Sequence, residues 1–410
     1  MTGLALTAGG ARGAYQAGVL KRLGEIPALR GRPLPFPIVT GASAGAINGA
    51  AIACYGSDFA NGSAQLARIW SQLQVSDVLH AGLPALARNG LKLALDLSLG
   101  GAIGAGRVAA LFDAAPLRHL LQRELPFNGI ADALSRRHLY AVAVTATGYH
   151  SGKAFTFIQG RRGHALWNKS RRVALPTVIG IDHILASSAI PIVFPPVPLS
   201  ADGHTAYFGD GALRLVTPLS PAIRLGADRL FAVGVRCQES ADSLLRSELS
   251  GAGDGLRRPP LSQICGVFMN AIFLDHLDAD VDHLRRMNDL VAAYGPAPAA
   301  AAAAVVDEPM RVIDPLIVSP TQDIAIIAKT FAHRMPKPIR YLLDGLGTPD
   351  AQSADLMSYL LFDGAFTREL IELGHRDAGA RIDEIEPFLC APRPRAAPPQ
   401  PARPRLRAVG

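Results

Sequence analysis

Cysteine is scarce: four residues in 410, at Cys54, Cys237, Cys265 and Cys390, with no Cys-x-x-Cys pair. That spacing argues against a disulfide framework or a thiolate metal site and fits reduced thiols in a reducing compartment. Aromatics make up only 6% of the chain, so its core must be built from Ala, Leu, Val and Ile. No run of 18 or more apolar residues occurs, so a membrane-spanning helix is not expected. The N-terminus has no basic stretch followed by an apolar run; Met1 and Thr2 lead straight into Gly3-Leu4-Ala5-Leu6-Thr7. No secretory leader is expected, and the cell interior is the expected location, with peripheral contact at a membrane allowed.

Charge is also sparse, 18% of residues, with a net of +7. Five of those charges are Arg393, Arg395, Arg403, Arg405 and Arg407 in a tail, 391–410, that holds no acid. Without them residues 1–390 carry +2, so no basic groove for nucleic acid is implied. The tail is rich in Pro, Ala and Arg and too poor in apolar surface to fold; a solvated extension is expected, with a weak hold of its arginines on anionic lipid headgroups as the alternative reading. The eleven histidines show no metal-ligand spacing. Asp278-x-Asp280-x-Asp282 resembles the start of a calcium loop, but His283 stands where Gly is needed and Asp289 where Glu is needed. These acids read as a solvated helix face. No metal and no organic cofactor are expected.

What the chain does have is a succession of strand-turn-helix units. Leu4–Thr7 reads as a strand before a helix through Ala14–Leu23, and Phe36–Thr40 as a second strand before a small-residue helix ending near Cys54. Leu139–Thr147 and Lys153–Ile158 read as a strand pair, and Arg229–Val235 as a further strand after a helix around Pro218–Leu225. This order predicts an α/β fold with a mainly parallel sheet. Residues 62–125 read as mostly helical, a cap beside the sheet. The second half is more helical: Ile264–Tyr294 as one long amphipathic helix, 295–304 as a loop, Val312–Val318 as a strand, and Ala354–Phe362 and Thr367–Leu373 as short helices split at Gly364.

The chemistry points to the turns. A serine hydroxyl holds its proton too tightly at neutral pH to attack an ester unaided; it needs a base and donors for the oxyanion. Gly41-Ala42-Ser43-Ala44-Gly45 follows a strand and opens a helix, the context of a nucleophile elbow. The flanking Gly41 and Gly45 permit the tight turn, and the helix N-terminus brings free N–H groups to Ser43. Thr7-Ala8-Gly9-Gly10-Ala11-Arg12-Gly13 can turn backbone N–H groups toward a substrate oxygen. It also approximates a dinucleotide fingerprint, yet the second strand ends in Thr40-Gly41-Ala42-Ser43 with no acid to hold a ribose. Too few strands precede Ser43 for an α/β-hydrolase, whose base would be a histidine. Asp210, between Gly209 and Gly211, is a candidate acid, though an Asp between glycines is commonly a turn former.

Taken in order, Gly9-Gly10-x-Arg12-Gly13 with Gly18-Val19-Leu20, Gly41-x-Ser43-x-Gly45, Ala186-Ser187-Ser188-Ala189-Ile190-Pro191 with Phe194-Pro195-Pro196-Val197, and Asp210-Gly211 resemble the patatin-like phospholipase family. The resemblance covers residues 3–235 by motif and reaches more loosely to 390. It implies a three-layer fold forming one domain over 1–390, with a helical C-terminal part over 260–390. It also implies a Ser43–Asp210 dyad, with Gly9, Gly10, Ala11, Arg12 and Gly13 as the oxyanion loop. The implied activity is acyl-ester hydrolysis on lipid or phospholipid, of phospholipase A or lysophospholipase type, through an acyl-serine. The readings kept beside it are an esterase or acyltransferase on other esters, and a non-catalytic module that binds lipid or a partner. Two positions depart from the family: Ala8 for the first glycine of the loop, and Thr217 before Pro218 where Asn is common. Arg12 is expected to hold its loop by bonding to carbonyls rather than to meet substrate, and Ala186–Val197 to line an acyl channel.

Overall fold

The computed structural model describes residues 1–79, 110–201, 203–237, 276–294, 310–337, 340 and 350–391. Strand β1 (Thr2–Leu6) is followed by a 3-10 turn (Gly10–Arg12) and helix α1 (Gly13–Gly24); β2 (Ile38–Ala42) is followed by α2 (Ala44–Cys54). Helices α3 (Phe59–Ser71), α4 (Val75–Val78), α5 (Ala115–Glu124) and α6 (Asn128–Ser135) precede the pair β3 (Ala141–Gly148) and β4 (Lys153–Gly160). Then come β5 (Asn168–Lys169), β6 (Arg172–Pro176), α7 (Ile181–Ser187), β7 (Val197–Ala201), β8 (His204–Gly209), α8 (Ser220–Arg224) and β9 (Arg229–Val233). The last part holds α9 (Leu277–Tyr294), β10 (Asp314–Val318), α10 (Ile324–Thr330), α11 (Asp350–Leu360), α12 (Gly364–Ala380) and α13 (Ile382–Cys390).

The strands form one mixed sheet in the order β10-β9-β1-β2-β3-β4-β6-β5, with β8 joined to the end of β3 and to β7. The run from β10 to β3 is parallel throughout, and β4 turns back antiparallel on β3 with Gly148 opposite Lys153. Neighbouring residues on one strand point to opposite faces. Leu4, Leu6, Val39, Val142 and Val144 therefore enter a core under α1, α2 and α3. Ala5, Ile38, Ala141 and Ala143 enter a second core with Leu277, Val281 and Leu284 of α9. The result is the expected α/β arrangement of helices on both faces of a mostly parallel sheet.

Several sequence expectations shift. The first two strands are Thr2–Leu6 and Ile38–Ala42 rather than Leu4–Thr7 and Phe36–Thr40; β2 runs on through Gly41, which pairs with Leu6, so Ser43 sits directly at its end. The expected break at Gly364 lies instead at 361–363, because Asp363 caps α12 by accepting from Ala365 N at 2.9 Å. The helix then runs past Leu373 to Ala380. Gly374 does not end it: this glycine is where α12 crosses α1, and a Cβ there would lie 2.2 Å from the Tyr15 carbonyl. The acids of the long helix do not form one solvated face. Asp278 and Asp282 are exposed, but Asp280 is only 8% exposed and accepts from Leu219 N at 2.8 Å. It serves as a fixed acceptor beside α8, and burial raises its carboxyl pKa. The 80–109 part of the expected cap, the start of the expected helix at 264, the 295–304 loop and the tail from 392 lie outside the described residues.

Candidate active site

Ser43 falls between β2 and α2 with φ 53° and ψ −124°, a conformation rare for a residue with a side chain. Such strain persists only where the surroundings hold it, and here both flanking glycines are required by close approach. A Cβ on Gly41 would lie 2.1 Å from the Gly45 carbonyl, and one on Gly45 would lie 2.2 Å from that of Leu6. Ser43 N–H donates to Ser187 Oγ at 3.0 Å, Ser187 Oγ donates to the Thr145 carbonyl at 2.6 Å, and Ser188 Oγ donates to the Ser43 carbonyl at 3.3 Å. The two serines at the end of α7, its last residue and its C-cap, therefore hold the elbow through its backbone.

Asp210 meets this elbow from the end of β8. Ser43 Oγ donates to Asp210 Oδ2 at 2.6 Å, while Asp210 Oδ1 accepts from Ala212 N at 2.8 Å. The aspartate backbone is pinned as well: Asp210 N donates to the Ala189 carbonyl at 2.9 Å, and Thr147 Oγ1 donates to the Asp210 carbonyl at 2.8 Å. Both side chains are almost sealed from solvent, Ser43 at 5% exposed and Asp210 at 3%. Burial lifts the Asp210 carboxyl to about 6, against the opposing pull of the hydrogen bonds from Ser43 and Ala212. Among the described residues no histidine is hydrogen-bonded to either. His183, for example, accepts from Gly180 N and sets its ring edge-on to Phe157.

The glycine-rich loop reaches the same place. Gly10 has φ +53° and lines the pocket with Ser43; a Cβ there would lie 2.3 Å from the Tyr359 carbonyl. The Arg12 N–H donates to the Gly9 carbonyl at 3.0 Å, and the Gly13 N–H to Gly10 and Ala11, so these two amides face the loop's own oxygens. The Arg12 side chain turns away from the pocket. It is 2% exposed, donates to Ser358 Oγ at 2.7 Å and to the Asp355 carbonyl at 3.3 Å, forms an ion pair with the Asp355 carboxylate, and lies 4.2 Å over the Tyr359 ring. Bonding to carbonyls was the expectation; the structure gives one carbonyl and two side-chain partners, all on helix α11. Gly9, Ala11 and Gly13 stand around the same turn.

Sequence reading missed a buried polar chain behind the loop. Gln16 Nε2 donates to the Thr7 carbonyl at 2.9 Å, Asn48 Nδ2 donates to the Gly13 carbonyl and to Gln16 Oε1, each at 2.9 Å, and Trp70 Nε1 donates to Asn48 Oδ1 at 2.7 Å. Its signal was available: Gln16 and Asn48 are amides inside the otherwise apolar stretches 13–20 and 44–54, where a buried amide needs partners.

From Ser43 a narrow pocket opens, with about 50 Å³ of enclosed volume. Its walls are Leu66, Trp70 and Leu73 from the α3 region and Leu117, Leu120 and Leu121 from α5. Ser188, Ile190 and Phe194 of the expected channel segment line it too. Almost all of that lining is apolar. Among the described residues Glu124 is the one charged group lining the pocket; burial alone would raise its carboxyl pKa, but Arg123 and Arg68 hold it below its ordinary value. Among the described residues no group of three metal-ligating side chains occurs. No described helix is long and apolar enough to cross a membrane.

The family model for patatin-like phospholipases matches residues 4–223, more than half of the chain, and takes in every loop named above. Among solved structures the chain is similar to the crystal structure of VipD from Legionella pneumophila, at 14% identity and a TM-score of 0.31. That alignment covers 90% of this chain and 66% of the VipD chain, just under two thirds. No curated protein matches.

Proposed function

The chain belongs to the patatin-like phospholipase family, and on that premise we propose that it is a serine lipid acyl hydrolase of phospholipase A or lysophospholipase type, working through a Ser43–Asp210 dyad. The observation that carries the reading is the 2.6 Å hydrogen bond from Ser43 Oγ to a carboxylate that burial has made unusually basic. A carboxylate of ordinary acidity would be a poor base for an alcohol; one lifted to about 6 is better matched to work near neutral pH.

In the first half-reaction Asp210 takes the Ser43 proton as Oγ bonds to the ester carbonyl carbon. Negative charge moves to the carbonyl oxygen, which the N–H groups of Gly10 and Ala11 and the first-turn amides of α2 receive. The tetrahedral species collapses, the alcohol leaves with the proton from Asp210, and the acyl group stays on Ser43. Water then repeats the sequence: its proton goes to Asp210, its oxygen to the carbonyl carbon, and Ser43 leaves reprotonated with release of the fatty acid. The leucine-lined pocket supports an apolar acyl chain as the group held while this happens. The arrangement also suits transfer of the acyl group to another alcohol, so products decide between hydrolase and acyltransferase.

The test is incubation with a mixed lipid extract, with products identified by mass spectrometry, alongside labelling by a fluorophosphonate. Free fatty acid release and a label on Ser43 are expected. Ser43→Ala is expected to lose both while keeping its fold by circular dichroism. Turnover or labelling that persists in Ser43→Ala contradicts the mechanism, and a wild-type protein inert to the probe favours a binding module.

A further inference from the structure

The end of the sheet next to Asp210 carries an unusual surface. Strand pairing gathers its parts: Gly148 lies opposite both Lys153 and Phe208, and Arg172 lies opposite both Ala154 and Lys169. Tyr149 N–H donates to the Tyr207 carbonyl at 3.0 Å, and the Tyr149 ring covers Gly209, the residue before Asp210. Burial, and then the charge of Asp210, raises the Tyr149 phenol pKa, which places this ring within the electrostatic reach of the dyad. The chain leaving Asp210 returns to the same turn, with Arg214 Nη2 3.6 Å from where a Gly152 Cβ would lie.

Three large apolar side chains stand in solvent here: Tyr149 at 41% exposed, Tyr207 at 58% and Val216 at 57%. Around them sit the basic residues Lys153, Arg171 and Arg214, of which the last two are exposed. Residues 148–178 contain six Lys and Arg and no acid, and the single acid of 203–217 is the buried Asp210. Exposed tyrosine and valine interleaved with charge of one sign is the pattern of an interfacial surface. Apolar groups enter the headgroup boundary while cations meet lipid phosphates. A protein partner would need an acidic, apolar patch of its own; a lipid leaflet supplies both features and also holds the proposed substrate.

We propose that this end of the sheet, Tyr149, Tyr207 and Val216 with Lys153, Arg171 and Arg214, is a docking surface for an anionic lipid leaflet that seats the Ser43 mouth against its substrate. The proposal rests on the lipid-hydrolase reading above. It assigns membrane contact to the folded domain beside the site rather than to the arginines of the tail.

The test uses the full chain in co-sedimentation with vesicles of phosphatidylcholine alone and of phosphatidylcholine with 30% phosphatidylglycerol. The wild type is expected to partition onto the anionic vesicles, less so as salt is raised. Lys153→Glu, Arg171→Glu and Arg214→Glu combined should lower that partition on the order of 100-fold or more, since losing the three cations alone removes ~1 kcal/mol each near the leaflet and the new carboxylates add repulsion. Tyr207→Ser with Val216→Ser should lower it on the order of 10-fold. Both variants should keep wild-type turnover of a soluble short-chain ester and wild-type melting curves. A charge-reversed variant that binds anionic vesicles as the wild type does overturns the proposal. So does binding that survives in it but is lost when Arg393, Arg395, Arg403, Arg405 and Arg407 become Ser. Loss of soluble-ester turnover in the wild type would instead count against the Ser43 reading, which keeps the two failures apart.

Discussion

The two loops that meet at the pocket are held in different ways. The Ser43 elbow is held largely by its own neighbourhood: a strand that pairs up to Gly41, a helix that starts at Ala44, and glycines that let three backbones touch. The Gly10 loop follows an equally short strand-turn-helix path, yet its clamp comes from about 350 residues later. Tyr359 fills the space over Gly10, and Asp355 and Ser358 hold Arg12. The family model ends at residue 223, so these partners lie beyond it. The contrast teaches that a motif can be local in sequence and still depend on a remote element for its shape.

Gly10→Val is expected to break the remote clamp most severely. It forces a branched side chain to φ +53° and into a carbonyl 2.3 Å away, strain of at least ~1–2 kcal/mol before the clash is counted. We expect turnover to fall on the order of 10²-fold or more, because a shift of about 1 Å in oxyanion donors is enough for that. Wild-type kcat in a folded Gly10→Val protein would show that the loop does not receive the oxyanion. Arg12→Ala comes next. It leaves Asp355 with Arg236 as remaining cation at 3.0 Å and should cost about 3 kcal/mol, the lower end for breaking a buried pair. Thermal melting should show that loss while the elbow still reacts with a fluorophosphonate, only more slowly. An Arg12→Ala protein with unchanged melting and unchanged kcat would remove α11 from the account. Arg12→Lys should recover part of the stability but not the two-group grip on Ser358 and Asp355.

These differences track what could be read from the residues alone. The sheet class and the elbow were legible because strand-turn-helix spacing and glycines report local geometry, whereas the pairing of Asp210 with Ser43 was expected only from the family resemblance. The clamp was not, since nothing in Asp355, Ser358 or Tyr359 says which loop they will meet. The β7–β8 hairpin, which delivers Asp210, was also missed: Pro198 and exposed Thr205 and Tyr207 disguise its alternation. Asp280 failed for a related reason, because a periodic acid looks solvated until a neighbouring helix covers it. For Arg12 the residues suggested bonding to carbonyls; its partners in the structure, the Ser358 hydroxyl and the carboxylate and carbonyl of Asp355, lie too far along the chain to be read from the loop.

On the elbow side the smaller effect belongs to Ser187→Ala. It leaves the Ser43 N–H without its acceptor at 3.0 Å, at a cost of about 1–3 kcal/mol for a buried donor. We expect a drop in kcat on the order of 10-fold with little change in KM. A larger change in KM than in kcat would mean that Ser187 acts on substrate binding instead of on the elbow.

The central claim is that a buried aspartate does the work of a base without histidine, and the pH profile of kcat/KM on a soluble ester tests it most directly. The base must be ionised, and burial raises its carboxyl to about 6. Turnover should therefore be flat at neutral pH and fall tenfold per unit as pH drops below about 6. Asp210→Asn should lower the plateau by roughly 10²–10⁴-fold and remove the inflection. A profile of wild-type height and shape in Asp210→Asn, or one abolished by changing a single histidine in a protein that still folds, would contradict it.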